Sequence, residues 1–429
     1  RAAMQSKNQL EFKKRMLQAF NAYSKAAALF GKSEDQDKPA KICQCKATAA
    51  YVSSWLSPDF ASRKRSLDEC WKLEKEALRF YEGIGDRLGL GRTYNELNAC
   101  LVDRLNLEWD KQIRQEMLAE ALSYGHKAIG ILSELGEEYE LARAYYITSI
   151  HCDTAAKGLE LEKKSKYASE ALSYSTKATK LSEKIGDSFL LGMSSIWVGS
   201  AIVDFTDRPD SAMRRFEDAL ECGIRTRDNY LIGRASYLLA HLTAWKMIAE
   251  EDPKKIVEES KKCERYSLDA IHNFKSIFNN QEVASSYYWY AENYSFLAKS
   301  AETSLKKKRI LLRKSIEAAK KGLEHAQRSG SISAVWFILH PLSKSLFLLS
   351  TMETDADTRK GLLEKSLRYR EENIKAVEQA MPYYFWNHGV YHNYLALTQA
   401  ELAKVERDKI QKAKLLEDAV ESSENCIKL

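Results

Sequence analysis

A short pattern that returns at near-constant spacing limits what this chain can fold into more than any other feature. In residues 85–96, GDRLGLGRTYNE, Gly91 follows Leu90 and stands three residues before Tyr94. The same place is filled by Ala40, Gly91, Ala142, Gly192, Gly233, Ala284 and Ala334, in steps of 51, 51, 50, 41, 51 and 50 residues. A period of this size is the mark of stacked helical units, each leaning on its neighbours to bury an apolar face it cannot bury alone.

A second set of small residues keeps step with the first, 21 and 14 positions before each of the first six markers: Ala19 and Ala26, Cys70 and Ala77, Ala121 and Ala128, Ala171 and Ala178, Ala212 and Ala219, Cys263 and Ala270. Residues seven apart share one helix face, and small ones let a neighbouring helix come close. Each unit is therefore expected to be a helix pair. Helix A carries the marker; helix B carries the small pair and stops at a residue such as Gly85, Gly136 or Gly186, suited to a left-handed cap. Gly91 and Ala121 are 30 residues apart, which predicts long helices. Gly192 and Ala212 are only 20 apart, and Pro209 closes that stretch, so this unit is expected to be shorter.

Leu90-Gly91-x-x-Tyr94, Leu141-Ala142-x-x-Tyr145 and Val283-Ala284-x-x-Tyr287 resemble the first helix of a tetratricopeptide repeat, and the small pairs resemble its second helix. The pattern departs from the family where Ser195 and Ser236 replace the tyrosine, where Gly-Asp or Asn-Asn replaces the usual proline, and around Phe385, which fits loosely. The units are also longer than the family's roughly 34 residues, and in this they are similar to the sensor regions of large signalling ATPases, cyclases and peptide-sensing regulators. The resemblance implies an all-α, right-handed α-solenoid of about eight helix pairs plus a flanking helix. Its units are expected near 1–36, 37–85, 86–136, 137–186, 187–227, 228–279, 280–329, 330–380 and 381–429. The chain opens and closes on a B-type helix, so it is expected to be a piece of a larger protein with an effector domain attached.

The 429 residues include 66 basic and 60 acidic ones, a net charge of +6. Such balance argues against a dedicated nucleic-acid coat. No apolar run is expected to reach the roughly 20 residues that cross a bilayer, and the N-terminal residues have no signal-peptide core. A cytoplasmic protein without membrane contact is expected. Eight cysteines are spread over the units and read as small core residues in a reducing compartment.

Catalytic, metal and cofactor signals are weak. Gly31-Lys32-Ser33 ends like a phosphate-binding loop, but Ala26 stands where the leading glycine belongs. Cys43-x-Cys45 has the wrong spacing for zinc and no second pair. His388 and His392 are four apart with no evident third ligand. His151 and Cys152 are adjacent, so on a helix they point about 100° apart and cannot form a nucleophile–base pair. No enzymatic activity, metal or cofactor is expected.

Two surfaces remain. In tetratricopeptide arrays the inner positions lie one, four and five residues after the marker, which the resemblance places on Arg92, Asn95 and Glu96; Arg143, Tyr146 and Ile147; Met193, Ile196 and Trp197; Arg234, Tyr237 and Leu238; Ser285, Tyr288 and Trp289. An arginine column beside an aromatic column would hold a protein or peptide segment, with Arg92, Arg143 and Arg234 as anchors for acidic groups. The second surface is a basic edge before helix B, strongest at Lys306, Lys307, Lys308 and Arg309, with smaller clusters at Arg63-Lys64-Arg65, Lys163-Lys164, Lys254-Lys255 and Lys261-Lys262. It suggests nucleic acid or an acidic protein as an alternative partner, and interleaved acids favour a solvated edge. An architectural or oligomerising array is the third reading. Pro341, inside an A helix, removes one backbone hydrogen bond and is expected to kink it.

Overall fold

The computed structural model describes residues 1–57, 59–108, 110–158, 161–300, 304–380 and 385–428. Among them are seventeen α-helices, one short 3-10 turn at Ala2–Gln5 and no strand. The chain is an all-α solenoid of antiparallel helix pairs, a leading helix followed by eight pairs, and it divides into two compact units.

Unit 1 comprises residues 1–235 with 275–278. It holds α1 (Gln9–Phe30), α2 (Lys38–Leu56), α3 (Phe60–Ile84), α4 (Arg87–Leu105), α5 (Lys111–Leu135), α6 (Glu138–Gly158), α7 (Leu161–Ile185), α8 (Ser188–Phe205), α9 (Pro209–Thr226) and the first turns of α10 (Asn229–Ala249). Unit 2 comprises residues 236–274 and 279–429. It holds the rest of α10, most of α11 (Pro253–Ser276), α12 (Asn280–Ser300), α13 (Leu305–Ser329), α14 (Ile332–Ser350), α15 (Ala356–Ala380), α16 (Phe385–Val405) and α17 (Lys409–Lys428).

The even-numbered helices from α2 to α14 carry the markers, and every marker is buried. The small pairs on α3, α5, α7, α9 and α11 are buried too. Side chains of this size leave room for the next helix, so the repeat is a packing code. The turns from B to A explain why Gly-Asp replaces proline. Gly85, Gly136 and Gly186 have φ of 70°, 69° and 74°, a conformation glycine adopts without a Cβ penalty. After Gly85 and Gly186 an aspartate follows and caps the next helix: Asp86 accepts from Gly89 N at 3.0 Å and Asp187 from Leu190 N at 2.9 Å. The expected short unit is present, since α9 has 18 residues against 25 in α3, α5, α7, α13 and α15.

Two expectations need correction. The leading helix is not a regular B helix: Ala19 and Ala26 are only partly buried, while Phe12 and Met16 carry its core contacts. Phe12 lies 6.3 Å from Trp55 and 6.2 Å from Phe278 by ring centroids. The residues before it run across successive B-to-A turns of unit 1, with Arg1 against Asp187, Gln5 donating to the Thr226 carbonyl, Ser6 accepting from Asn229 and Gln9 donating to the Lys275 carbonyl. Long apolar helices also exist: α8 and α14 are apolar and long enough to cross a membrane, although 61% and 56% of each span is buried inside the fold. Pro341 lies inside α14 and is buried.

Candidate functional site

Unit 1 places four of the expected groove residues among polar bridges between successive A helices. Arg143 on α6 is half-buried and lies 2.8 Å from Glu96 on α4 and 2.9 Å from Glu140 on its own helix. Burial works against its charge, and Glu96 more than restores it, so its proton is held well above the ordinary guanidinium range. Asn95 is 0% exposed and donates to the Glu140 carbonyl and carboxylate. Tyr146 is half-buried beside Arg143. Arg92 is exposed and reaches Glu137 at 3.7 Å. Trp197 is half-buried, with its Nε1 unpartnered, and Arg234 is half-buried and engaged by neighbours. The expectation of a free arginine column is corrected here. Arg92 and Arg143 each face a glutamate displaced by one repeat, and Asn95 is interior.

Unit 2 carries the stronger concentration of chemistry. Tyr288 on α12 is half-buried and stacks on Phe337 of α14 at 4.0 Å; His340, one turn further along α14, lies 5.3 Å from Tyr391 and 5.5 Å from Tyr394 on α16. These five rings are all partly accessible, and they form a continuous aromatic wall across three consecutive A helices. Trp289, expected on the surface, is 6% exposed: its ring stacks on His241 at 4.4 Å and packs with Tyr237, Ala240 and Cys263. Tyr237 is half-buried in the same cluster, and Trp245, next to His241, is 51% exposed. The long helices explain the correction, because the neighbouring A helix covers the position five after the marker.

Behind the wall lies a buried charge cluster. Glu292 on α12 is 1% exposed; Lys344 on α14 reaches it at 2.6 Å, and His340 Nε2 stands 3.8 Å away. The Lys344 ammonium also sits 3.9 Å above the Phe296 ring, where the quadrupole favours a cation. Burial, then the charges of Lys344 and Arg370, push the His340 proton affinity well below the usual imidazole range. That imidazole is neutral at physiological pH. Burial and the Glu292 charge push the Tyr288 phenol up, so it also stays neutral.

At the basic edge, Lys306 and Lys307 are exposed, and no ion pair of Lys306, Lys307 or Lys308 is found among the described residues. Arg309 turns inward, donating to the Met352 carbonyl and lying 3.6 Å from Glu353. Elsewhere the edge is compensated: Arg63 meets Asp103, Lys64 meets Glu108 and Lys262 meets Glu259. The side chains of Lys163, Phe385 and His388 lie outside the described residues. Of the eight cysteines, Cys43, Cys70, Cys100, Cys152, Cys222 and Cys263 are buried, and all eight are free thiols.

Reasoning from the sequence missed Glu292, Phe337, His340, Lys344, Arg370, Tyr391 and Tyr394. The columns stopped at the unit of Ala284; for Phe337, His340, Lys344, Tyr391 and Tyr394 the signal lay in the next two A helices, in WFILHPLSK and YHNY.

No protein-family model and no curated protein matches this chain. Among solved structures it is similar to a Rap protein complexed with competence and sporulation factor, at 14% identity and a TM-score of 0.49, over 92% of this chain and 99% of that one. The apo form of RapI matches at 13% identity and 0.45, over 96% and 98%. Yeast Tom70 matches at 12% identity and 0.18, over 90% and 96%. Likenesses this distant carry no argument about what this chain binds.

Proposed function

We propose that this protein is a non-catalytic binding array that holds a protein or peptide segment against the A-helix wall of unit 2. The observation that supports the reading is the chain of partly accessible rings from Tyr288 through Phe337 and His340 to Tyr391 and Tyr394. Aromatic side chains of this kind give large contact area at low entropic cost and are enriched where binding energy concentrates. Rings held by neighbours on three helices are also fixed before a ligand arrives, which lowers the ordering cost of association. Tyr237 and Tyr288 would supply apolar contact to the segment, with Trp289 packed behind them. In unit 1, Arg92, Tyr146, Trp197 and Arg234 would offer a separate contact surface. Where such an array adjoins an effector, occupancy of the wall would be relayed through the stacked helices.

A synthetic hexapeptide library equilibrated with the full chain tests this. Enriched peptides are expected to carry aromatic or large aliphatic residues, to bind with modest salt dependence, and to lose about tenfold or more in affinity in Tyr288→Ala and Phe337→Ala. No enrichment, or unchanged affinity in both variants, overturns the reading. Affinity that falls steeply with salt would transfer it to the Lys306–Arg309 edge and an acidic or nucleic-acid partner.

A further inference from the structure

A pocket of about 760 Å³ opens in unit 1 between α1, α2 and α3. Its wall is mostly apolar, with Phe20 and Ala27 from α1, Ile42 and Ala50 from α2 and Leu73 from α3. Three charged side chains also line it: Lys46, Arg65 and Glu69. A hollow of this size and lining, apolar with a few charged groups, is what small-molecule sites offer.

The repeat explains why space is left here. A step of 51 residues carries the lining residues to their counterparts at the junction of α3, α4 and α5, which is filled. There Leu78, Leu101, Met117 and Tyr124 are buried in one apolar cluster; at the pocket Ala27, Ala50, Ser66 and Leu73 take those places. Lys75, whose ammonium lies 4.8 Å from the Trp71 ring and reaches Glu120 at 2.8 Å, becomes Ser24. The pocket is thus a junction of the repeat with its filling side chains cut back, and surrounding helices close such a space only in part.

The charges at this junction also differ. Lys46 stands where Leu97 is 0% exposed, Arg65 stands for Glu116, and Glu69 keeps the place of Glu120. None of these three makes an ion pair among the described residues. Two cations to one carboxylate leave the pocket with one surplus positive charge beside an apolar wall.

We infer that this pocket binds a long-chain aliphatic carboxylate. Its hydrocarbon chain fills the space that Leu78, Leu101, Met117 and Tyr124 fill one repeat further on, and Lys46 and Arg65 hold its head. An unbranched chain adapts to an irregular hollow, and the carboxylate offsets the surplus charge. A neutral lipid matches only the first feature, and an inorganic anion or a nucleic acid only the second. Lys46 and Arg65 are exposed, so the head contributes modestly and burial of the chain supplies most of the affinity.

The test uses the full chain with three probes, each below its micelle threshold and at constant ionic strength: sodium dodecanoate, dodecanol and dodecyltrimethylammonium. Calorimetric titration is expected to show one dodecanoate per chain, bound about threefold to tenfold more tightly than dodecanol, with the cation weakest. Dodecanoate should also raise the melting temperature, as a ligand of the folded state does. The Ala27→Leu, Ala50→Leu double variant restores side chains of the filled junction and should weaken dodecanoate at least about tenfold. Ala28→Trp, at an exposed position of the same wall, should do likewise if the double variant loses its helical signal. The Lys46→Gln, Arg65→Gln double variant should bind dodecanoate no better than dodecanol and leave dodecanol affinity unchanged. Equal binding of dodecanoate and dodecanol by the parent chain, affinity unaffected by the wall variants, or a lowered melting temperature overturns the inference. A second copy seated in the hollow would appear in sedimentation as a dimer that Ala28→Trp disrupts, and that result overturns it too.

Discussion

Lys344 on α14 reaches back to Glu292 on α12 at 2.6 Å, joining two A helices through a carboxylate that is 1% exposed. Glu292→Gln keeps the shape and removes the charge, leaving Lys344 without a carboxylate. Loss of one partner from a buried pair costs about 3–5 kcal/mol. Urea unfolding should show a drop in midpoint with little change in slope. The Glu292→Gln, Lys344→Met double variant should recover much of the loss. A single variant within about 0.5 kcal/mol of the parent would mean the pair is not buried in solution.

The two arginines of unit 1 should respond very differently to charge reversal. Arg143 stands between Glu96 and Glu140, at 2.8 and 2.9 Å, so Arg143→Glu sets three carboxylates together in a half-buried place. Its expected cost is about 2–4 kcal/mol, read as lost thermal stability. Arg92 is exposed and 3.7 Å from Glu137, so Arg92→Glu should cost less than about 1 kcal/mol. Equal melting temperatures for the two variants would show that the Arg143 network does not hold α4 to α6.

What could be read from the chain was what lies in local spacing. The markers Gly91, Ala142 and Ala284 set which face of each A helix is buried, and Gly85 with Asp86 sets where one helix ends and the next begins. Ala19 and Ala26 keep the same spacing and still mislead, because α1 buries Phe12 and Met16, and its partners include Phe278, far along the chain. Trp289 was misplaced because helix periodicity says which residues share a face and says nothing of whether a neighbour covers it. Arg370 was invisible for another reason. In KSLRYREENIK it is one charge among many that read as solvated, and only packing shows that it is buried and Arg368 is exposed.

Two glycines of α5, five residues apart, should give opposite answers to the same substitution. A Cβ on Gly125 would clash with Thr148 Oγ1 and lie 3.0 Å from Asn98 Nδ2, where α4, α5 and α6 meet. Gly125→Ala is expected to cost about 1–3 kcal/mol by overpacking. Gly130 is exposed, with nothing within 4 Å of a Cβ added there, so Gly130→Ala should stabilise by about 0.5–1 kcal/mol through helix propensity. Calorimetric melting of both variants checks the pair. Stabilisation by Gly125→Ala would show that α5 and α6 are not in contact at this point.

His151 should make the fold sensitive to acid in a definite window. It is fully buried on α6, its Nε2–H donates to the Asn98 carbonyl at 3.0 Å, and Nδ1 has no partner. Burial pushes its pKa from 6.5 down to about 4 despite that hydrogen bond. The sign follows from proton counting. Between pH 6.5 and about 4 the unfolded chain carries a proton at this site and the folded chain does not, so unfolding takes up protons and stability falls as pH falls. Across that window the loss from this one side chain is about 3 kcal/mol, and below pH 4 it levels off. His151→Asn removes the titrating group, so the stability difference between parent and variant should shift by about that amount in the parent's disfavour as the pH is lowered from 7 to 4. Urea unfolding at a series of pH values measures it. A difference that stays constant with pH would mean that His151 takes up its proton in the folded chain as readily as in the unfolded one, and that the junction of α4 and α6 admits water.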